Sequence, residues 1–150
     1  MKSGNIAIRI FKRHNSVFLD LYNSSIKYKK DRDAGTLKYL TQIKPARNYR
    51  NIDSLNNIAS YLEDRFKQIG LEPSFQNYIV DNNEYKNIIA TLNSKYEKRL
   101  IIGAHYDVRG NFQGADDNAS AVAGLIQTAK QLYKIKDILH IITPPNKYLI

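Results

Sequence analysis

Four side chains able to bind a cation or move a proton fall within thirteen residues: His105, Asp107, Asp116 and Asp117, inside the string GAHYDVRGNFQGADDNASAVAG over 103–124. Residues two apart on a strand point to the same side, so His105 and Asp107 can share one site while Tyr106 faces away. A carboxylate that accepts a hydrogen bond from one imidazole nitrogen fixes the tautomer and makes the other nitrogen a better metal ligand. That is the task open to Asp107. Gly110 and Gly114 let the following loop bend, and the loop delivers Asp116 and Asp117 just ahead of a run of small residues. A carboxylate there has two oxygens and can bridge two cations. With no cysteine in the chain, any metal site has to be built from imidazole and carboxylate.

Taken singly, these residues would do no more than cap elements and line a turn. Together, the His-x-Asp at the end of an apolar run and the Gly-Ala-Asp-Asp-Asn-Ala-Ser that follows resemble the signature of the co-catalytic zinc aminopeptidases, metallopeptidase family twenty-eight. By that resemblance His105 is a ligand of one zinc, Asp107 orients it, and Asp116 bridges two zincs. Asp117 is then the second member of an Asp-Asp pair joined by a cis peptide. The resemblance reaches back to about Leu37, where it weakens. It implies an α/β fold, here a truncated α/β/α sandwich with a mixed sheet.

The elements that must hold these groups can be read from periodicity. Leu100, Ile101 and Ile102 form a short apolar run of the kind a strand buried on both faces gives, so a strand is expected over 99–104 with His105 at its end. Leu55, Ile58, Ala59, Leu62, Phe66 and Ile69 recur at spacings of three and four. They predict a helix over 54–69, with Asp53 or Ser54 as N-cap and Gly70 just past its end. A shorter helix over 36–43 stops before Pro45, since the residue preceding a proline avoids helical geometry. Two strands, 72–80 and 85–92, flank the turn Asp81-Asn82-Asn83 and predict an antiparallel hairpin, with Pro73 confining the first to an edge or a strand start. After the acidic loop Asn118 is the expected N-cap of a helix over 118–133, striped by Val122, Leu125, Ile126, Ala129 and Leu132. A last apolar strand is expected over 138–143.

The net charge of +9 is unevenly distributed. Residues 1–50 hold 12 Lys/Arg against 3 Asp/Glu, whereas residues 51–150 hold 11 of each. We read 1–34 as a basic, solvated N-terminal extension with a short alternating run at Ile6 to Ile10, and 35–150 as the N-terminal portion of the peptidase-like domain, its C-terminal portion absent. No aromatic and basic interleaving of a nucleic-acid module is visible, so no nucleic-acid partner is expected. No stretch approaches the roughly 18 to 20 apolar residues of a membrane span. Arg9, Lys12 and Arg13 interrupt the only apolar run near the start, which leaves no secretory core and a cytoplasmic expectation.

The resemblance also says what else a complete site uses: a general-base glutamate and a glutamate ligand at the end of the strand over 138–143, then an aspartate and a histidine ligand. Beyond Asp117 the chain holds one acid, Asp137, and one histidine, His140, and the strand end carries Thr143-Pro144-Pro145 instead. His140 falls mid-strand and reads as a core or interface histidine. Two function classes follow. One is a zinc metallopeptidase fragment, acting on N-terminal peptide bonds in intact relatives, inactive alone, binding at most one zinc weakly, and associating with a C-terminal half or with itself through an exposed sheet edge. The other is a non-catalytic remnant or interaction module with a basic N-terminal segment.

Overall fold

The computed structural model describes residues 33–92 and 100–137 in full, and the backbone of 5–10. Its elements are β1 (Asn5–Ile10), α1 (Ala34–Gln42), α2 (Ile52–Ile69), β2 (Ser74–Val80), β3 (Asn83–Leu92), β4 (Leu100–His105), an irregular turn of π type (Ala115–Ala119) and α3 (Ser120–Lys134). The sheet runs β2-β3-β1-β4. β2 and β3 form the expected antiparallel hairpin, and its two turn residues Asp81 and Asn82 both take positive φ, 49° and 61°. Left-handed backbone at both central positions matches the right-handed twist of the flanking strands, and Asp and Asn tolerate it better than most residues.

β1 pairs parallel with β3 and antiparallel with β4, so the sheet is mixed. Of the segment read as an N-terminal extension, residues 5–10 thus belong to the sheet, and residues 11–32 lie outside the described residues. The alternating run at Ile6 to Ile10 supplies an interior strand, with Ile6 opposite Ile88 on one side and Ala104 on the other. A strand between two others satisfies backbone groups that β3 and β4 would otherwise leave open.

One face of the sheet is covered by helices. On α2, Leu55, Ile58, Ala59, Leu62 and Phe66 are buried. They meet Ile88, Ala90 and Leu92 of β3, and the buried stripe of α3 (Val122, Leu125, Ile126, Ala129, Leu132) completes the core. On β4 the burial alternates: Ala104 is buried on the helical side, whereas Ile101 on the opposite face is 62% exposed. The described residues thus build two layers, helices on a mixed sheet. The third layer of the expected sandwich is not among them, and the strand expected over 138–143, with His140, lies outside the described residues.

The caps differ in detail from the expected ones. Helix α2 begins at Ile52 with Asn51 before it, two residues ahead of the predicted start. Asn51 spends its side chain on the Ala46 carbonyl, and Ser54 donates to Pro45 O, so both tie the helix start to the preceding segment. Gly70 closes α2 in the left-handed region at φ 95°, as expected. The Lys44–Pro45 peptide bond is cis. Helix α3 starts after the π-type turn, with Asn118 in non-helical backbone (φ −143°, ψ 33°) instead of at the cap.

Asp33 caps α1, accepting from the Thr36 backbone N–H at 3.0 Å and the Thr36 hydroxyl at 2.6 Å, and pairs with Arg65 of α2 at 2.7 Å. Burial by itself would raise this carboxyl's pKa. The bonds from Thr36 and Arg65 outweigh it and hold the group below its ordinary value. A depressed carboxylate contributes stability above its unfolded pKa of about 3.9, and that contribution is lost as pH falls through the lower folded value. We expect Asp33→Ala to cost on the order of 1 kcal/mol at pH 7, with the difference from the parent chain shrinking below about pH 4. Urea denaturation at pH 7 and pH 3 checks both.

Candidate metal centre

β4 ends at His105, and the chain leaves the sheet with Tyr106 turned into the core and His105 and Asp107 on the other side. Tyr106 is buried at 1% exposure and donates its hydroxyl to Lys86 O at 2.7 Å. Burial pushes its phenol up, far from any proton-transfer range. The ring above the core therefore anchors the strand end and leaves the chemistry to its neighbours. His105 Nδ1 lies 3.0 Å from Asp107 Oδ1, with the Asp107 side chain only 13% exposed. Burial raises the Asp107 pKa more than the His105 hydrogen bond and the Arg47 charge lower it.

The other ring nitrogen, Nε2, lies 3.0 Å from Asp117 Oδ1. The resemblance pointed to Asp116 as the acid that shares a metal with His105. The acid beside Nε2 is Asp117; both acids are exposed, and the Asp116 backbone carbonyl lies 3.4 Å from the Ser120 hydroxyl. The cis peptide is likewise one residue further on than expected, at Asp117–Asn118 and not Asp116–Asp117. The cause is local backbone geometry. Asp117 sits at φ −116° and ψ 83° inside the π-type turn, which takes it out of the helical path that Asp116 follows and turns it back toward the strand end.

His105 is therefore flanked by a carboxylate on each ring nitrogen. A neutral imidazole has one N–H to donate. With that proton on Nδ1 and given to Asp107, the Nε2 lone pair faces the Asp117 carboxylate, and two acceptors at 3.0 Å call for a positive species between them, a proton or a metal cation. The 3.0 Å separation is that of an N–H···O hydrogen bond. Two ligands of one zinc, each at about 2.0 to 2.1 Å and at a tetrahedral angle, stand about 3.3 Å apart, so a cation needs the pair to open by only a few tenths of an ångström. Asp117 is 76% exposed, so a cation could reach it from solvent. Among the described residues no group of three or more His, Cys, Asp or Glu that could hold a metal ion gathers around a common point.

Arg47 was absent from the expected site, and it lies beneath it. At 1% exposure it heads the largest fully buried side chains. Its guanidinium donates to four backbone carbonyls: Tyr106 O at 2.7 Å, Leu40 O at 2.6 Å, Gln113 O at 2.6 Å and Gly114 O at 2.8 Å. Burial pulls its pKa down to about 10, opposed by the negative charges of Asp107 and Asp117. The neighbouring Asn48, also buried, donates to Gly110 O. Nothing in the sequence says that this arginine's acceptors are main-chain oxygens, three of them about sixty residues away.

The family comparison agrees with the motif. Residues 87–142 match the model of Peptidase family M28, which covers part of a domain. An uncharacterized protein, YfbL of Escherichia coli (strain K12), is 38% identical over 107 residues, which is 66% of this chain and 33% of the relative. The chain thus spans about a third of the length of the curated relative it matches. No solved structure matches. Among the described residues, no helix is long and apolar enough to cross a membrane.

Proposed function

We propose a metallopeptidase-like function for this chain, whose residues 87–142 match the model of Peptidase family M28, with His105 and Asp117 as the first two ligands of a zinc site. The observation that carries this reading is the pair of carboxylates on opposite nitrogens of one imidazole, each at 3.0 Å. Asp107 holds the proton on Nδ1 and keeps the ring oriented. Nε2 and the Asp117 carboxylate then present a lone pair and a negative charge to the same point. When bound, zinc would supply Lewis acidity toward a scissile carbonyl and lower the pKa of a coordinated water. The substrate class in this reading is the free N-terminus of a peptide, as in aminopeptidases.

The remaining residues of this chain limit what it does alone. After Asp117 the only acid is Asp137, which is exposed beyond α3, and the only histidine is His140. A catalytic zinc ordinarily has three protein ligands and an open position, and loss of a general base costs a factor of roughly 100 to 10,000. The purified chain with zinc is therefore expected to cleave a chromogenic aminoacyl anilide at least about 100-fold more slowly than a complete two-metal peptidase. Supplying in trans the portion of the E. coli relative that this chain does not cover should restore zinc-dependent cleavage, and Asp117→Ala should remove it again. Cleavage that ignores zinc, or that survives Asp117→Ala, would contradict the assignment. Association with a second polypeptide belongs to the same proposal: among the described residues β4, which carries the site, is an edge strand of the sheet, a template for further pairing.

A further inference from the structure

The cation-facing pair is assembled from two segments that the chain could place independently, the end of β4 and the turn before α3. What joins them is Arg47. Through Tyr106 O its Nε grips the residue between His105 and Asp107, and through Gln113 O and Gly114 O its two terminal nitrogens grip the stem of the turn that carries Asp117. Its own carbonyl accepts from Val108 N–H at 2.9 Å, so main chain and side chain of one residue hold both sides of the loop. The packing at Gly114 agrees with these bonds. The Gly114 Cα packs so closely that an added Cβ would stand 2.9 Å from Arg47 Nη2 and 2.5 Å from Asp117 O, which places the guanidinium against the backbone that aims the Asp117 side chain.

Resting on the metal-site reading above, we propose that Arg47 is the positioning residue of this site: its guanidinium fixes the separation of His105 Nε2 and the Asp117 carboxylate before any cation arrives. A buried arginine satisfied by carbonyls is an unusual structural choice, because burying an unpaired charge is costly and an apolar side chain would pack there without that cost. The arrangement gains sense from the two carboxylates nearby. Their charges oppose the effect of burial on the guanidinium, and the planar fork reaches several acceptors in fixed directions, which a lysine cannot do. Arg47 touches neither ligand side chain in this role; it acts through the backbone on which they are mounted.

The test uses the full chain and cobalt(II) as a spectroscopic substitute for zinc. Arg47→Lys keeps the charge and loses the fork. It is expected to bind cobalt about 10- to 100-fold more weakly than the parent chain, the range typical of partners that orient a metal ligand, with an unchanged far-UV spectrum. Phe66→Leu, a core change remote from the site, should bind cobalt as the parent does. Equal cobalt affinity in the parent and Arg47→Lys overturns the proposal, as does an equal loss in Phe66→Leu. If the parent itself binds no cobalt, the metal-site reading fails, and the ring nitrogen shifts of His105 in the metal-free chain still decide the positioning role: they should change in Arg47→Lys, and identical shifts overturn it. Should Arg47→Lys not fold, the parent alone provides the check. The Arg47 Nε–H resonance is expected to exchange slowly and to move on metal addition with the same stoichiometry as His105, and a resonance indifferent to saturation overturns the proposal.

Discussion

Gly114→Ala is expected to destabilise the chain by about 2 to 5 kcal/mol, a large share of the 5 to 15 kcal/mol that holds a typical domain together. Two costs add. Gly114 has φ 62°, where a Cβ meets its own carbonyl region at about 1 to 2 kcal/mol. The new methyl would also overlap Val108 Cγ1 and stand 2.5 Å from Asp117 O, and forcing atoms into a filled space costs about 1 to 3 kcal/mol more. Relief requires the turn to move, and the turn carries Asp117, so loss of stability and loss of the site should arrive together. Gly124→Ala is the counterpart within the same fold. Gly124 lies in α3 with nothing within 4 Å of an added Cβ, and there alanine should stabilise by about 0.5 to 1 kcal/mol, because it restricts the unfolded chain and favours helix. Urea midpoints of the two variants should move in opposite directions. A Gly114→Ala midpoint equal to that of the parent would mean that the loop is far looser than its packing indicates.

These two glycines show which parts of the chain could be read from its sequence. Gly124 sits in a stretch whose spacing of Val122, Leu125, Ile126, Ala129 and Leu132 already implies a helix, and α2 was equally legible from Leu55 to Ile69 because a helix writes its buried face into its own period. The hairpin was legible from Asp81 and Asn82, residues that tolerate the left-handed turn the strands require. What escaped was whatever depends on a partner. Six alternating residues at Asn5–Ile10 look the same as an extension or as an interior strand, since the pattern names neither β3 nor β4 as a neighbour. Arg47 escaped for the same reason: its acceptors are carbonyl oxygens, which every residue has.

The site itself was half legible. His105 and Asp107 follow from strand alternation, because two residues apart means one side, and their 3.0 Å contact needs no information from elsewhere in the chain. The choice between Asp116 and Asp117 does not follow from spacing. Adjacent acids in a turn differ only in the dihedral angles that the turn imposes, and at Asp117 those angles leave the helical path. The resemblance named Asp116, whereas the backbone sets Asp117 beside the ring.

That selection makes the most direct test of the account a comparison of metal binding by four chains: the parent, His105→Ala, Asp117→Ala and Asp116→Ala, each titrated with zinc in competition with a chromophoric chelator at neutral pH. His105 Nε2 and Asp117 Oδ1 are 3.0 Å apart, and each removal should lower zinc affinity by more than the roughly 10- to 100-fold that loss of an outer partner brings. Asp116→Ala should bind within a few-fold of the parent, since the carboxylate beside His105 Nε2 belongs to Asp117. The result that contradicts the account is the reverse pattern, with zinc lost in Asp116→Ala and kept in Asp117→Ala, or zinc bound as tightly by His105→Ala as by the parent.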